Sequence, residues 1–271
     1  MKFADLHLHT TFSDSTYTPE KLIQESSRIG FTGISVVDHD NVDGLQTCIS
    51  LGRQKNIEVI PGVELSCEFK EMEVHILGYF IDYKNKEFVS RLEFLRKNRA
   101  ERVYKIAEKL KGLGICLAVE EVFNLALNST VGRPHVARAM VAQGLVGSTR
   151  EAFDRYLGDK APAFVLNFRF NAQEAIKLIK DAGGVPILAH PYLLRDNNLI
   201  MDFIGFGIMG LEIYYPEHTS AMISKYLDIV NKNKLLVTGG SDFHGSVKPD
   251  VKLGDIRLPY KFVDKIREAR R

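Results

Sequence analysis

No disulfide framework can be drawn for this chain. Its three cysteines, Cys48, Cys67 and Cys116, lie far apart, form no CxxC pair and are odd in number. That is the usage of isolated thiols in a reducing cytoplasm, not of a secreted scaffold. No apolar run approaches the roughly 18 residues that span a bilayer, so no membrane partner is expected. The opening Met1-Lys2-Phe3-Ala4-Asp5 turns acidic and His-rich at once, unlike a secretory leader. Charge of one sign is not in excess either. The formal net charge is +2, too little to draw the chain as a whole to duplex DNA or a membrane surface. A Gly-rich phosphate loop is missing, since Gly239-Gly240 lacks the flanks of a P-loop. Internal repeats and low-complexity segments are missing too.

What is present is a chain of 271 residues, 45% apolar and 26% charged. That suits one large domain, or a domain with a sizeable insertion. Strand-like and helical patterns alternate over most of it. Phe3 to His9 reads as a strand. Pro19 to Ile29 reads as an amphipathic helix, with Thr18 as N-cap, Pro19 at the first helical position and Gly30 as its stop. Ile34 to Val37 is a short strand and Gly44 to Lys55 a helix. Val59-Ile60 and Val63 to Leu65 are strand-like around Pro61-Gly62, and Val74 to Ile81 is a further strand.

The rhythm then breaks. Phe88 to Leu113 reads as one long helix, whose lysines and arginines from Arg91 to Lys111 look like a solvated face. Glu120 to Leu127, Pro134 to Gln143 and Arg150 to Leu157 read as shorter helices. With no strand pattern for about 80 residues, residues 89–169 are expected to form a helical insertion within a domain of residues 1–88 and 170–271. Alternation resumes with Ala172 to Ala182, Val185 to Ala189, Leu211 to Tyr214, Ser220 to Asn231 and Leu235 to Thr238. Ile256 to Leu258 and a terminal helix close the chain. The expected class is α/β, with a mostly parallel sheet, open or closed into a barrel.

Six of the eight histidines fall at or just past the end of a strand pattern: His7, His9, His39, His75, His190 and His244. Asp14, Asp38, Asp40, Glu64 and Asp242 accompany them. In a parallel α/β sheet the strand ends converge on one face, so residues distant in sequence should meet there. The i, i+2 spacing of His7 and His9 puts both imidazoles on one side of a strand, and Asp242 and His244 repeat that spacing. A single histidine at a strand end is usually just a satisfied polar group. Six together, most with a carboxylate beside them, indicate a metal centre that holds the imidazoles neutral. Mixed histidine and carboxylate without cysteine suits zinc, manganese or iron. About nine donors exceed the ~4 that one zinc accepts, so two or three ions are expected. Clustered ions of this kind are typical of phosphatases and nucleases, where they activate water. No Ser or Cys nucleophile is then required.

The segments Asp5 to Thr10, Val37 to Asp40, Pro61 to Glu64, Ala189 to Pro191 and Gly240 to His244 resemble the motifs of the polymerase and histidinol phosphatase (PHP) family. The match runs in order over nearly the whole chain. The resemblance implies a distorted seven-stranded β/α barrel with three metal ions. One ion would lie with His7, His9, Glu64 and Asp242. Glu64 would bridge to a second, held by His75 and His190. Asp14, His39 and His244 would hold the third. Ser15 stands where family members often have glycine.

The helical insertion and Gly132-Arg133-Pro134-His135 further resemble the nucleoside 3′,5′-bisphosphate phosphatases, also described as 5′-to-3′ oligoribonucleotide exonucleases. There the Arg and His of this motif contact substrate phosphate, which implies that role for Arg133 and His135. Arg133 offers a planar fork for phosphate, and Pro134 opens a helix whose free N–H groups favour an anion. His218 follows a strand and is a further candidate contact, with a loop-capping role as its alternative.

The expected function is hydrolysis of phosphate esters on nucleotides or short 5′-phosphorylated RNA, by attack of metal-bound hydroxide. Two alternatives stand beside it, a histidinol-phosphate phosphatase and a non-catalytic metal-bound module.

Overall fold

Strands β1 (Phe3–Leu8), β2 (Gly33–Val36), β3 (Glu58–Phe69), β4 (Met72–Tyr79), β5 (Val185–Leu188), β6 (Gly210–Tyr214), β7 (Leu236–Gly239) and β8 (Leu258–Pro259) form one sheet in the computed structural model. Residues 2–127, 129–166 and 170–270 are described. The strand order is β7-β6-β5-β4-β3-β2-β1-β8. The sheet curls until its ends nearly meet. Beyond β7, the Asp242 N–H donates to the His7 carbonyl (2.8 Å) and the His9 N–H donates to the Phe243 carbonyl (3.2 Å). The Tyr79 hydroxyl on β4 donates to the Leu6 carbonyl on β1 (3.0 Å), joining strands that are not sheet neighbours. The result is a nearly closed α/β barrel.

Three features differ from the sequence reading. Among the described residues there are eight strands, against the seven that the resemblance implies, because the two-residue β8 adds to β1 antiparallel through Phe3↔Pro259 and Ala4↔Leu258. The two strand-like stretches around Pro61-Gly62 are one continuous strand. Pro61 is tolerated because β2 pairs with β3 only as far as Pro61, while pairing with β4 starts at Gly62. The lost N–H therefore falls at a change of partner. Finally, β4 runs antiparallel to both β3 and β5, so the sheet is less parallel than the strand–helix rhythm implies.

Helices α1 (Pro19–Ile29), α2 (Leu45–Gln54), α7 (Ala172–Asp181), α8 (Ile200–Phe206), α9 (Ser220–Asn233) and α10 (Lys261–Ala269) surround the sheet, and α8 is absent from the sequence reading. Local chemistry sets their limits. Thr18 accepts from the Lys21 N–H to start α1, and Gly30 ends it at φ 87, a left-handed value that glycine adopts freely. Asn171 and Glu174 form a reciprocal capping box on α7. Alternation along the strands sends Val63, Leu65, Ile76, Leu211 and Ile213 into the apolar layer shared with these helices. The opposite faces carry Ile60 and Glu64 on β3, and His75, Leu77 and Tyr79 on β4. Apolar Ile60, Leu77 and Tyr79 pack with Ile187 beneath the polar groups.

A second apolar core lies over the barrel. Helix α3 (Lys86–Gly112) is 27 residues long. Its first half buries Phe88, Leu92 and Leu95 in the barrel's outer layer, and its second half buries Val103, Ile106 and Leu110 in the other core. Helices α4 (Val119–Ala126), α5 (Arg133–Ala142) and α6 (Thr149–Ala152) complete that core with Val122, Val136, Met140 and Ala152. We refer to this helical group as the cap. Phe153–Leu157 continues α6 as a wider π-helical turn. Of the span 89–169, residue 128 and residues 167–169 lie outside the described residues. Among the described residues, no helix is long and apolar enough to cross a membrane.

Candidate metal centre

The chain exits of several strands meet at one end of the barrel. His7 is in β1 and His9 just past it. Asp38 and His39 follow β2, His190 follows β5, and Asp242 and His244 follow β7. His75 is different: it lies near the start of β4, not at its end. Because β4 is antiparallel, its start lies at the end of the barrel where the parallel strands finish, and His75 joins the others.

Four donor atoms come together first. His7 Nε2 lies 3.3 Å from Glu64 Oε2 and 3.4 Å from Asp242 Oδ1. His9 Nε2 lies 3.3 Å from each of the same two oxygens. Donors placed ~2.0–2.1 Å from a shared tetrahedral ion are themselves about 3.3–3.4 Å apart. His7 Nε2 and His9 Nε2 are buried and have no hydrogen-bond partner among the described residues. Such atoms are costly to bury unless something else binds them. The donor set, its spacing and its orphaned nitrogens all fit a cation.

Glu64 is the pivot of the wider cluster. Its Oε2 also lies 3.3 Å from His39 Nδ1. Its Oε1 lies 2.9 Å from His75 Nδ1 and 3.1 Å from His190 Nε2. A further group comprises Asp14, His39 and His244 together with His9, with Asp14 Oδ1 3.1 Å from His244 Nε2. The structure therefore brings all nine expected side chains together, but their partition is less tidy than the resemblance implies. His9 and His39 each present a second ring nitrogen toward Asp14, at 4.0 and 3.8 Å.

Electrostatics point the same way. Burial opposes protonation of His9, yet the neighbouring carboxylates of Asp242 and Glu64 outweigh it and raise its pKa to about 9. His75 is likewise raised to about 9: Glu64 and Glu73 outweigh burial. Asp14, Glu64 and Asp242 are held well below the usual carboxylate range, because the surrounding positive charge overcomes burial. Burial pushes His39 and His244 down. A site that draws protons onto buried imidazoles is short of positive charge, which bound cations would supply while releasing those protons.

A surrounding layer holds these groups in place. Glu212 accepts from His7 Nδ1 (2.9 Å) and from the His190 N–H (2.9 Å). His7 is thereby fixed as the tautomer whose Nε2 is free to bind an ion. The Tyr215 hydroxyl donates to Asp242 Oδ2 (2.7 Å), and Lys248 Nζ donates to the same oxygen. Asp5 accepts from the Ser241 hydroxyl (2.6 Å) and N–H, which ties the loop after β7 to β1. Burial raises the Asp5 pKa to about 7 against those hydrogen bonds. Gly240 makes the approach sterically feasible, since a Cβ there would lie 2.3 Å from the His7 backbone nitrogen. Asp38 accepts from Thr10 and Ser13 and so anchors the loop that carries Asp14. Asp242 and His190 sit at φ 54 and 26, strained values that functional sites tolerate.

Over the cluster lies a cleft of about 140 Å³ lined by Asp14, His39, His75 and His244 below and by Arg99, Arg102, Arg133 and Lys248 around it. Two of these correct the sequence reading of α3 as a solvated basic face. Arg99 is buried against Asp40 (2.6 Å), and Arg102 is buried against Glu73 (2.7 Å). The helix crosses the barrel mouth at that point, where acidic partners on β4 and after β2 satisfy the guanidinium groups. Arg133 reaches the same Glu73 (3.0 Å).

His135 and His218 each make a contact within the fold. His135 is buried and accepts from the Gly132 N–H (3.2 Å), closing the first turn of α5. Burial lowers its pKa to about 4. His218 is buried among Tyr192, Tyr215 and Tyr226, and its Nδ1 donates to the Ile213 carbonyl (2.8 Å). Glu73, Glu212 and Lys248 are absent from the sequence reading. Only Glu212 leaves a signal there, as a lone carboxylate between Leu211 and Ile213 on an apolar strand.

Comparison with known proteins agrees with this geometry. The PHP domain family matches the chain over residues 5–237. The chain is 32% identical over 247 residues to a 5′-3′ exoribonuclease of Haemophilus influenzae, covering 89% of each protein. It is 29% identical over 246 residues to a 3′,5′-nucleoside bisphosphate phosphatase of Chromobacterium violaceum, covering 89% of this chain and 86% of the other. Its fold superposes on a candidate metal-dependent phosphoesterase from Bifidobacterium adolescentis with a TM-score of 0.89 at 29% identity, covering 97% of this chain and 94% of that one. A nearly closed barrel with histidines and carboxylates gathered at its mouth, and a family match over most of its length, lead to one conclusion: the chain belongs to the PHP domain family.

Proposed function

We propose that the protein is a metal-dependent hydrolase of phosphate esters on nucleotides, acting on 3′,5′-bisphosphate nucleotides, short 5′-phosphorylated RNA or both. The observation that carries this reading is a buried cluster of His7, His9, Asp14, His39, Glu64, His75, His190, Asp242 and His244 beneath a cleft edged by four cationic side chains. Two or three divalent ions, of manganese, zinc or iron, suit that donor set. Their contribution when bound is Lewis acidity, which acidifies water and offsets phosphate charge.

The chain's own residues do the rest. Arg133 is tethered to Glu73 by one terminal nitrogen and to the Leu157 carbonyl and the exposed Asp159 by the other, so a phosphate oxygen pair meets its fork by displacing Asp159. Arg99 and Arg102 stay in their buried ion pairs with Asp40 and Glu73 and shape the wall of the cleft. His135 sets the first turn of the helix that presents Arg133, and His218 holds the turn after β6. Glu212 and Tyr215 keep His7 and Asp242 aimed at the centre. The nearby hydroxyls of Ser13, Ser66 and Ser241 are engaged with Asp38, Arg99 and Asp5. Burial raises the thiols of Cys48 and Cys67, so neither is a ready nucleophile.

The test is a Mn²⁺-supplemented panel of 3′,5′-bisphosphoadenosine, 5′-phosphorylated oligoribonucleotides and histidinol phosphate, ranked by kcat/KM. Release of phosphate or mononucleotide from the first two, ahead of the third, supports the proposal. Preference for histidinol phosphate, or no release from any of them, contradicts it.

A further inference from the structure

A second cavity, of about 590 Å³, adjoins the cleft over the metal centre and shares Pro134, Phe153, Val247 and Lys248 with it. The smaller cleft reaches Asp14, His39, His75 and His244, whereas none of these lines the larger one. The cavity has two walls of different origin. Pro134 and Phe153 come from the cap. Val247, Lys248 and Pro249 come from the loop after β7, and Glu217 from the loop after β6.

We infer that this cavity is the subsite for the sugar and base of a nucleotide whose phosphate lies at the metal centre, with the Phe153 ring as the surface on which the base stacks. The inference rests on the function proposed above and adds where the rest of the substrate goes. Continuity is the first argument: the cleft over the cluster and this space share four lining residues, so a molecule with its phosphate over the cluster can extend into it. The volume lies within the roughly 300–1,000 Å³ range of small-molecule sites.

Chemistry is the second argument. Phe153 is only part-buried, unlike the aromatic residues of the core. It begins the π-helical turn that ends α6, and such turns redirect side chains and recur at functional sites. Its ring lies 6.0 Å from the Arg133 guanidinium, so the phosphate-facing arginine and the stacking face are neighbours. Lys248 at the neck supplies positive charge to the sugar–phosphate link. Glu217 offers an acceptor to the exocyclic amine of adenine, guanine or cytosine.

The experiment compares KM for 3′,5′-bisphosphoadenosine with KM for the same sugar bisphosphate lacking a base, in the wild-type protein and in Phe153→Leu and Phe153→Trp. Leucine keeps apolar bulk but removes the aromatic face, and tryptophan enlarges that face. The wild-type protein should prefer the base-bearing substrate by about tenfold or more in KM, the scale of a single base–aromatic stack. Phe153→Leu should collapse that ratio toward one, and Phe153→Trp should preserve it. Equal KM values in the wild-type protein, or an unchanged ratio in Phe153→Leu, would overturn the subsite while leaving phosphoester hydrolysis standing. Failure to hydrolyse either substrate, together with no release from 5′-phosphorylated oligoribonucleotides, would instead overturn the function itself.

Discussion

The barrel mouth and the cap are built on opposite terms. At the mouth almost every side chain is buried and held from behind. Glu212 orients His7, Asp5 pins the loop before Asp242, and Asp38 pins the loop before Asp14. In the cap, Arg133 is held by Glu73, Asp159 and a carbonyl, and it borders open space. The mouth leaves donor atoms without partners. The cap leaves cavities. We propose that the difference separates two tasks: the mouth fixes the reacting atoms, and the cap chooses which molecule brings a phosphate to them. Substitutions in the two regions should therefore fail in different ways.

The largest effect is expected at the pivot. Glu64→Gln removes the charge that faces His7, His9, His39, His75 and His190 together. Phosphate release should fall on the order of 10³-fold, and metal content measured by mass spectrometry should fall with it. Retained metal with lost activity would assign Glu64 a role other than ligation.

Next comes Glu212→Gln, which touches no expected ion but loosens His7. Removal of such an outer partner typically lowers metal affinity ~10–100-fold. Titrating metal back should then restore much of the rate. If excess metal leaves the rate unchanged, Glu212 does not act through His7.

Arg133→Ala sharpens the contrast from the cap side. Loss of a charge-assisted hydrogen bond to phosphate should lower kcat/KM by roughly 10–100-fold, mainly through KM, with full metal content. A parallel loss of metal would merge the two regions into one functional unit.

The smallest effect is on stability and concerns pH. His135 is neutral in the fold down to about 4, against 6.5 for an ordinary histidine. Between those values the unfolded chain binds the extra proton, so stability falls as pH drops from 6.5 toward 4. The loss is at most on the order of 3 kcal/mol. His135→Gln retains a capping side chain but cannot titrate, so its Tm should decline less steeply between about pH 6.5 and 4.5. Identical slopes would show that His135 is not the group responsible.

The same contrast explains what is legible in the sequence. Most of the donors converge because they lie at or just past strand ends, which converge in any such barrel, while Glu64 lies within β3 and Asp14 in the loop after β1. Periodicity carries that information, as does the i, i+2 spacing of His7 with His9. Even His75, which the alternation pattern assigns to a strand end, reaches the centre because an antiparallel strand begins where its neighbours finish. Orientation of β4 is a tertiary property that hydrophobic pattern does not encode. Arg99 and Arg102 are illegible for a related reason. Their burial depends on which part of a 27-residue helix crosses the mouth, and on Asp40 and Glu73 waiting there. Glu73 pairs with Arg102 and Arg133, which are distant in the chain, and Lys248 meets Asp242 only through the turn after β7. His135 carries a second role that its motif does not show: its Nδ1 accepts from the Gly132 N–H and closes its own helix turn.

The most direct test of the division between mouth and cap is chelation. Protein stripped of metal, then assayed on 3′,5′-bisphosphoadenosine before and after stoichiometric re-addition of Mn²⁺ or Zn²⁺, should release no phosphate before and recover its rate after, with metal binding lost in Glu64→Gln and retained in Arg133→Ala. Full activity in the stripped protein would contradict the account at its centre.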